Sequence, residues 1–316
     1  KPNIDWKQQA QKVESEQEKA KEFTLEQIIL DPKGKLSEKE LIGLEWENLT
    51  NAIEQHQLKD EKEALMLQMA APDFWSDDDR FDVMSDVEFI DRLLHSYGNL
   101  ASLLDRISNA DKPRLEYPAN LLQRIADHLR LLKLALKAYT DNEYQECFLL
   151  IEANEEDTGK TDISMLFDQQ VGMYEKWIRN RRMSVRYIRK SDAAHLHTTL
   201  LVTGFAARQL LSKESGLHIW ETYHLKGGSK TKKNEQNLKT IRHRINVSCI
   251  PCKKPSDDME TLKKALKRQL KEQPAEERNL VRTYKLAPKT VVKDHVAGWQ
   301  TTKIDQVLGG NFDLLS

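Results

Sequence analysis

Cysteine is scarce in this chain of 316 residues, which has three: Cys147, Cys249 and Cys252. Three thiols are too few for a disulfide framework, and they lead to the expectation of a reducing compartment. Cys249-Ile-Pro-Cys252 is a Cys-x-x-Cys pair, yet no second pair exists to complete a zinc ribbon. The alternating stretch Ile245–Ile250 before it reads as a strand, whereas thioredoxin chemistry wants such a pair at a helix start. Long apolar runs are missing as well: even Leu129–Lys137 carries charges at helical intervals, so nothing approaches the roughly 18 residues of a membrane span. No internal repeat is visible. The first residue is Lys1 rather than Met, which suggests a processed or truncated chain whose start says nothing about compartment.

Recognisable catalytic constellations are absent too. His195-Leu-His197 would set two imidazoles on one side of a strand, a spacing zinc could use, but no third ligand converges on them. Glu155-Glu156-Asp157 reads as a solvated loop, and no Ser/His/Asp or Cys/His arrangement appears in a suitable context. Neither an enzyme nor a metal or cofactor is expected.

What is present is charge, unevenly spread. Charged residues make up 31% of the chain and apolar ones 39%, the balance of a soluble protein of two or three domains with much exposed helix. The net charge of −1 conceals a division. Asp77, Asp78, Asp79, Asp82, Asp86, Glu88 and Asp91 face only Arg80 over one short stretch, and a solvated helix face is the expectation there. Between Lys226 and Lys254, nine bases face only Glu235. Lys226, Lys230, Lys232, Lys233, Lys239, Arg242 and Arg244 supply point charges and guanidinium forks, and Trp220, Tyr223 and His243 supply stacking faces. Such a mixture suits single-stranded RNA, because phosphates gain by counterion release and aromatics stack any base.

Periodicity divides the chain. Residues 1–35 read as a polar tail. From Leu36 to about Gln68, Leu41, Leu44, Leu49 and Ile53 recur at helical spacing until Pro72 breaks the pattern. A long helix after Ser76 would turn Phe81, Met84, Val87, Ile90, Leu93 and Leu94 inward, and another runs from about Asn120 to Tyr139. Residues 36–140 are therefore expected to form an antiparallel helical bundle. Beyond Asp141 the period changes: Cys147–Ala153, Ser184–Ile188 and Thr198–Val202 read as strands, with a helix through Met173–Trp177 and another from Phe205 to Leu211. An α/β central domain over 141–256 with a basic loop, then a basic helix and C-terminal segment over 257–316 packing on it, completes an α+β chain.

Several short motifs recur in a familiar order. They are Pro72-Asp73-Phe74-Trp75, Cys147-Phe148-Leu149, Met173-Tyr174 with Trp177, and Gly204, Leu211, Glu214, Gly216 and His218. At the end come Arg282, Tyr284, Val291–Asp294 and Val307–Asp313. Together they resemble the class I bacterial-type peptide chain release factors, most closely the release factor two branch, from about Leu36 to the end.

The resemblance makes two departures informative. Members of that family hydrolyse peptidyl-tRNA with a Gly-Gly-Gln tripeptide; here the only Gly-Gly pairs precede Ser229 and Asn311. Where the family has a stop-codon-reading tripeptide, this chain has His218 to Ser229 with no Ser-Pro-Phe or Pro-x-Thr. From Pro251 it passes to Asp257–Leu266, which resembles the helix after the hydrolytic loop. The resemblance thus implies a release factor core without its peptidyl-hydrolase domain. It is similar to a divergent plastid branch in land plants associated with stabilising a transcript at its 3′ end, which implies mRNA as partner and the chloroplast stroma as location. Two alternatives stay open: a factor that occupies the decoding site of the ribosome without releasing peptide, and a structural subunit of a ribonucleoprotein. No membrane role is expected.

Overall fold

The computed structural model describes residues 24–77, 79–108, 117–154, 162–191, 195–225, 238–253, 258–272, 279–287 and 289–315. Before Glu146, five α-helices stand among them: α1 (Leu25–Leu30), α2 (Leu36–Gln55), α3 (Leu58–Met69), α4 (Arg80–Ser108) and α5 (Ala119–Thr140). No helix is long and apolar enough to cross a membrane among the described residues. The chain divides into two compact units, Lys1–His56 with Gly98–Arg130 and Gln57–Tyr97 with Leu131–Ser316.

The first unit is helical. Thr24 caps α1 by accepting from the Gln27 N–H (3.4 Å), and the buried Glu38 closes the start of α2 by accepting from the N–H groups of Lys33 (2.7 Å) and Lys35 (2.9 Å). Ile28, Ile42, Leu49, Leu100, Leu122, Ile125 and Leu129 form buried apolar stripes. Arg130 Nε donates to Glu26 (2.9 Å), and Gln123 donates to the Ile29 carbonyl (2.6 Å).

Two expectations for the helices are corrected. The pattern from Leu36 does not run on to Gln68, because the helix stops at Gln55 and restarts at Leu58, with Gln57 at φ 49° between. Ile53 and Leu58 are both buried but lie five residues apart, out of step with a 3.6-residue turn, so a phase break is required. Phe81 and Met84 do not face inward either: they are exposed, while Phe89, Ile90 and Leu93 are buried.

The second unit is built on an eight-stranded sheet, ordered β2-β3-β1-β5-β4-β6-β7-β8. The strands are β1 (Glu146–Ala153), β2 (Ser184–Arg189), β3 (His197–Thr203), β4 (Gly216–Leu225), β5 (Leu238–Cys252), β6 (Leu280–Lys285), β7 (Val291–Asp294) and β8 (Gln300–Thr301). Every pairing is antiparallel except β4 with β6. Helix α6 (Ile163–Asn180) lies on one face, burying Leu166, Phe167, Met173, Tyr174 and Trp177 with Leu149, Ile151 and Val247 from the strands. The short α7 (Ala207–Leu211) occupies the expected helix, and α8 (Met259–Glu272) packs Leu262 on the opposite face against Phe148, Leu201, Ile250 and Cys252. The α+β class expected from the periodicity is the one observed. Cys249 and Cys252, three apart on β5, belong to clusters on opposite faces, so they do not form a Cys-x-x-Cys site.

Candidate nucleic-acid interface

Strand alternation assigns the residues around Trp220 to two sides. In the β4–β5 ladder Trp220 opposes His243, and Glu221 opposes Arg242. One side carries His218, Trp220, Thr222 and His243, all buried. The other carries Ile219, Glu221 and Tyr223 with Arg242 and Arg244, half-buried or exposed. The parallel register of β4 with β6 adds Thr283 and Lys285 to the outer side, and β7 adds Lys293 beside Thr283.

The outer face is basic and carries the Tyr223 ring. Arg242 Nε donates to Glu221 Oε1 (2.9 Å), and the Tyr223 hydroxyl donates to Glu221 Oε2 (3.4 Å). Lys285 Nζ stands 5.9 Å from the Tyr223 ring centroid. At the far strand, Thr283 Oγ1 and His295 Nε2 are hydrogen-bonded at 3.1 Å. Adjacent strands lie roughly 4.8 Å apart, so cations on β5, β6 and β7 form a band across the sheet rather than a point. A band of this kind can follow a phosphodiester backbone while Tyr223 offers a ring to a base.

Several residues expected in this role lie elsewhere. Trp220 is fully buried, stacked on Tyr284 (4.1 Å between centroids, 8° between planes) with its Nε1–H donated to Gln170 Oε1 (3.0 Å). It cannot stack a base. The segment from Trp220 to His224 belongs to the interior strand β4, and this places the indole in the core. His243 is buried too, its Nε2 2.9 Å from Thr222 Oγ1. Lys226, Lys230, Lys232 and Lys233 lie outside the described residues, and Lys239 is placed only through its backbone, paired with His224. Arg242, Arg244 and Tyr223 are brought together. Lys285 and Lys293 were missed, because their two-residue alternation becomes basic and outward only when β6 is registered against β4.

Beneath this face, on the core side, lies a polar network. Arg282 is fully buried and donates to Glu214 (2.7 and 2.9 Å) and to Asp294 (2.7 and 3.0 Å). The Tyr174 hydroxyl donates to Glu214 Oε2 (3.0 Å). Burial first, and the Arg282 charge second, push the His218 imidazole down to about 3. The ring is therefore neutral, its Nε2–H donated to the Glu214 carbonyl (3.0 Å) and its Nδ1 3.3 Å from Gln170 Nε2. These are enclosed, mutually satisfied groups with no free base or nucleophile among them. They hold the sheet to α6.

The C-terminal turns close the same core. Phe312 stacks on Trp177 (6.0 Å), and Arg181 pairs with Asp313 (2.7 Å). Asn180 donates to the Gly309 carbonyl (2.8 Å), and Gly310 sits against the backbone of Trp177.

The second unit is thus an eight-stranded sheet carrying α6 on one face and a basic patch on part of the other. The PCRF domain model matches residues 58–219, more than half of the chain, and the chain belongs to that family of release factor-related proteins. The sequence matches no curated protein. Among solved structures, the fold is similar to RF2 of Thermus thermophilus, at 16% identity and a TM-score of 0.42, over 80% of this chain and 92% of that one.

Proposed function

We propose that this protein is a release factor relative that binds single-stranded RNA without hydrolysing peptidyl-tRNA, and that it stabilises organellar mRNA, in the chloroplast stroma, by covering a 3′ region. The observation that carries this reading is the outer face of β4–β7: Arg242, Arg244, Lys285 and Lys293 against one acid, Glu221, with Tyr223 among them. Lys226, Lys230, Lys232 and Lys233, outside the described residues, fall in sequence between β4 and β5 and make that stretch of the chain more basic. The missing Gly-Gly-Gln supports the non-hydrolytic part. Family membership favours a second reading, a ribosome-bound factor.

The expected result with purified protein is salt-sensitive binding to single-stranded RNA. Replacing Arg242, Arg244, Lys285 and Lys293 together by Ala should weaken it and flatten the dependence of log affinity on log salt by about 0.7 for each phosphate contact removed. Fluorescence anisotropy across a salt series measures both; unchanged affinity and slope would place the RNA site elsewhere.

A programmed ribosome should retain its peptide when this protein is added at any stop codon. Codon-dependent release by the protein alone would overturn the non-hydrolytic reading. Sedimentation separates the two binding readings: a free pool carrying mRNA fits the first, strict comigration with ribosomes the second.

A further inference from the structure

A groove of about 980 Å³ opens in the second unit between α3, α4 and the β2 edge of the sheet. That volume is at the upper end for a small-molecule pocket. Its walls include Met66 and Met69 from α3, Phe81 and Met84 from α4, and Val185 from β2. Phe81 is 50% exposed, Met66 52% and Met84 37%, so the groove presents apolar side chains to solvent. Three of the chain's seven methionines line it, and unbranched thioethers adapt to varied apolar partners.

The surrounding charge narrows the partner. Phe81 and Met84 are embedded in the acidic stretch Asp77–Asp91, whose formal charge is −6. Lys62 and Arg92 pair with Asp91 and Glu146 within the groove, Lys253 lies over the Tyr144 ring and Arg186 belongs to the β2 wall, whereas the α4 wall carries Asp86, Glu88 and Asp91 against Arg92. Partial burial, and then the charges of Asp82 and Glu61, raise the Asp86 carboxyl above its ordinary range. The acidic α4 wall favours lysine or arginine over phosphate, which points to a protein rather than RNA. The bulge in β2 between Tyr187 and Arg189 interrupts the edge that an added strand would need, which favours a helix as occupant.

We propose that this groove docks a basic amphipathic helix of a partner protein, with its apolar face on Met66, Met69, Phe81 and Met84 and its lysines or arginines on the carboxylates of α4. The site is separate from the RNA face, and the proposal does not depend on RNA binding.

The probe is a labelled synthetic peptide of about 18 residues, leucine at helical i, i+3, i+4 spacing and lysine elsewhere. Two controls carry the same leucines with glutamate, or the same composition scrambled. The full chain should bind the lysine helix alone. Phe81→Gln with Met84→Gln should weaken binding about tenfold or more, and so should Asp86→Lys with Glu88→Lys. The first pair is exposed and should leave the melting temperature in place; should it melt, Met66→Gln on α3 tests the same contact. Equal binding of either control, or undiminished binding by the folded variants, would overturn the proposal. Self-association of the chain that the same variants abolish would overturn it as well, by making a second copy the occupant.

Discussion

Replacing Arg282 by Met is expected to destabilise the protein by about 3–5 kcal/mol, because it leaves the Glu214 and Asp294 carboxylates buried without their shared cation. The intact arrangement is not a large net source of stability, since desolvating three ionised groups offsets most of their attraction. Removing only the cation, however, leaves the desolvation cost uncompensated. Urea or thermal unfolding at neutral pH measures the loss, and a change below about 1 kcal/mol would show that the network is not as closed as its geometry indicates.

The pH dependence gives a second readout of the same substitution. Burial raises the Glu214 carboxyl and Arg282 opposes that rise. In the variant the opposition is gone, so the folded state holds a proton at higher pH than the unfolded state does. Stability of the variant should therefore increase as pH falls from neutral toward about 5, where protonation removes the buried charge. Adding Glu214→Gln and Asp294→Asn to Arg282→Met should remove that rise, whereas a loss caused only by missing packing would be insensitive to pH over this range.

The second large effect is expected at Gly310. Its φ is +82°, and a Cβ there would fall 2.3 Å from Trp177 N and 2.7 Å from Trp177 Cα. Both atoms are backbone, so no rotamer change relieves the contact. Gly310→Ala should cost roughly 2–5 kcal/mol, from the left-handed conformation together with overpacking against α6. Gly309→Ala is the matched control: a Cβ at Gly309 meets nothing within 4 Å. A large gap in melting temperature between the two variants is the expected outcome, and equal losses would contradict this packing. The second glycine of this Gly-Gly pair, Gly310, is explained by close approach to a helix.

Much of the architecture was legible because it rests on local periodicity. The apolar run Cys147–Ala153 has to be a buried strand, and it occupies the interior of the sheet between β3 and β5. Met173, Tyr174 and Trp177, at i, i+1 and i+4, mark the buried face of α6. The motif residues that carried the resemblance, Arg282, Glu214, Asp294 and His218, are the buried network. They were readable as a set, but sequence order gives no sign that one guanidinium bridges two carboxylates 68 and 12 residues away.

The candidate interface was only half legible. A basic stretch with Arg242 and Arg244 announces itself by composition, whereas Lys285 and Lys293 join it only through pairing across strands. Trp220 and Tyr223 look equivalent in sequence, both aromatic and three residues apart. In a strand three residues is an odd step, so one ring enters the core and the other faces outward. Phe81 and Met84 were misjudged for a related reason. Helical spacing shows that apolar residues share a face, but only the neighbouring elements decide whether anything covers it.

By itself, then, the sequence determined the helical front, the change of period after Asp141, the concentration of opposite charges in two stretches and the lack of a Gly-Gly-Gln tripeptide. Those are properties of short segments or of composition, and short-range physics expresses them directly. Only the tertiary structure decided which side of β4 is buried, which lysines share a face with Arg242, and that the methionines of α3 and α4 line an open groove. Each of these depends on register and packing between segments distant in the chain, and such contacts leave no local periodic trace.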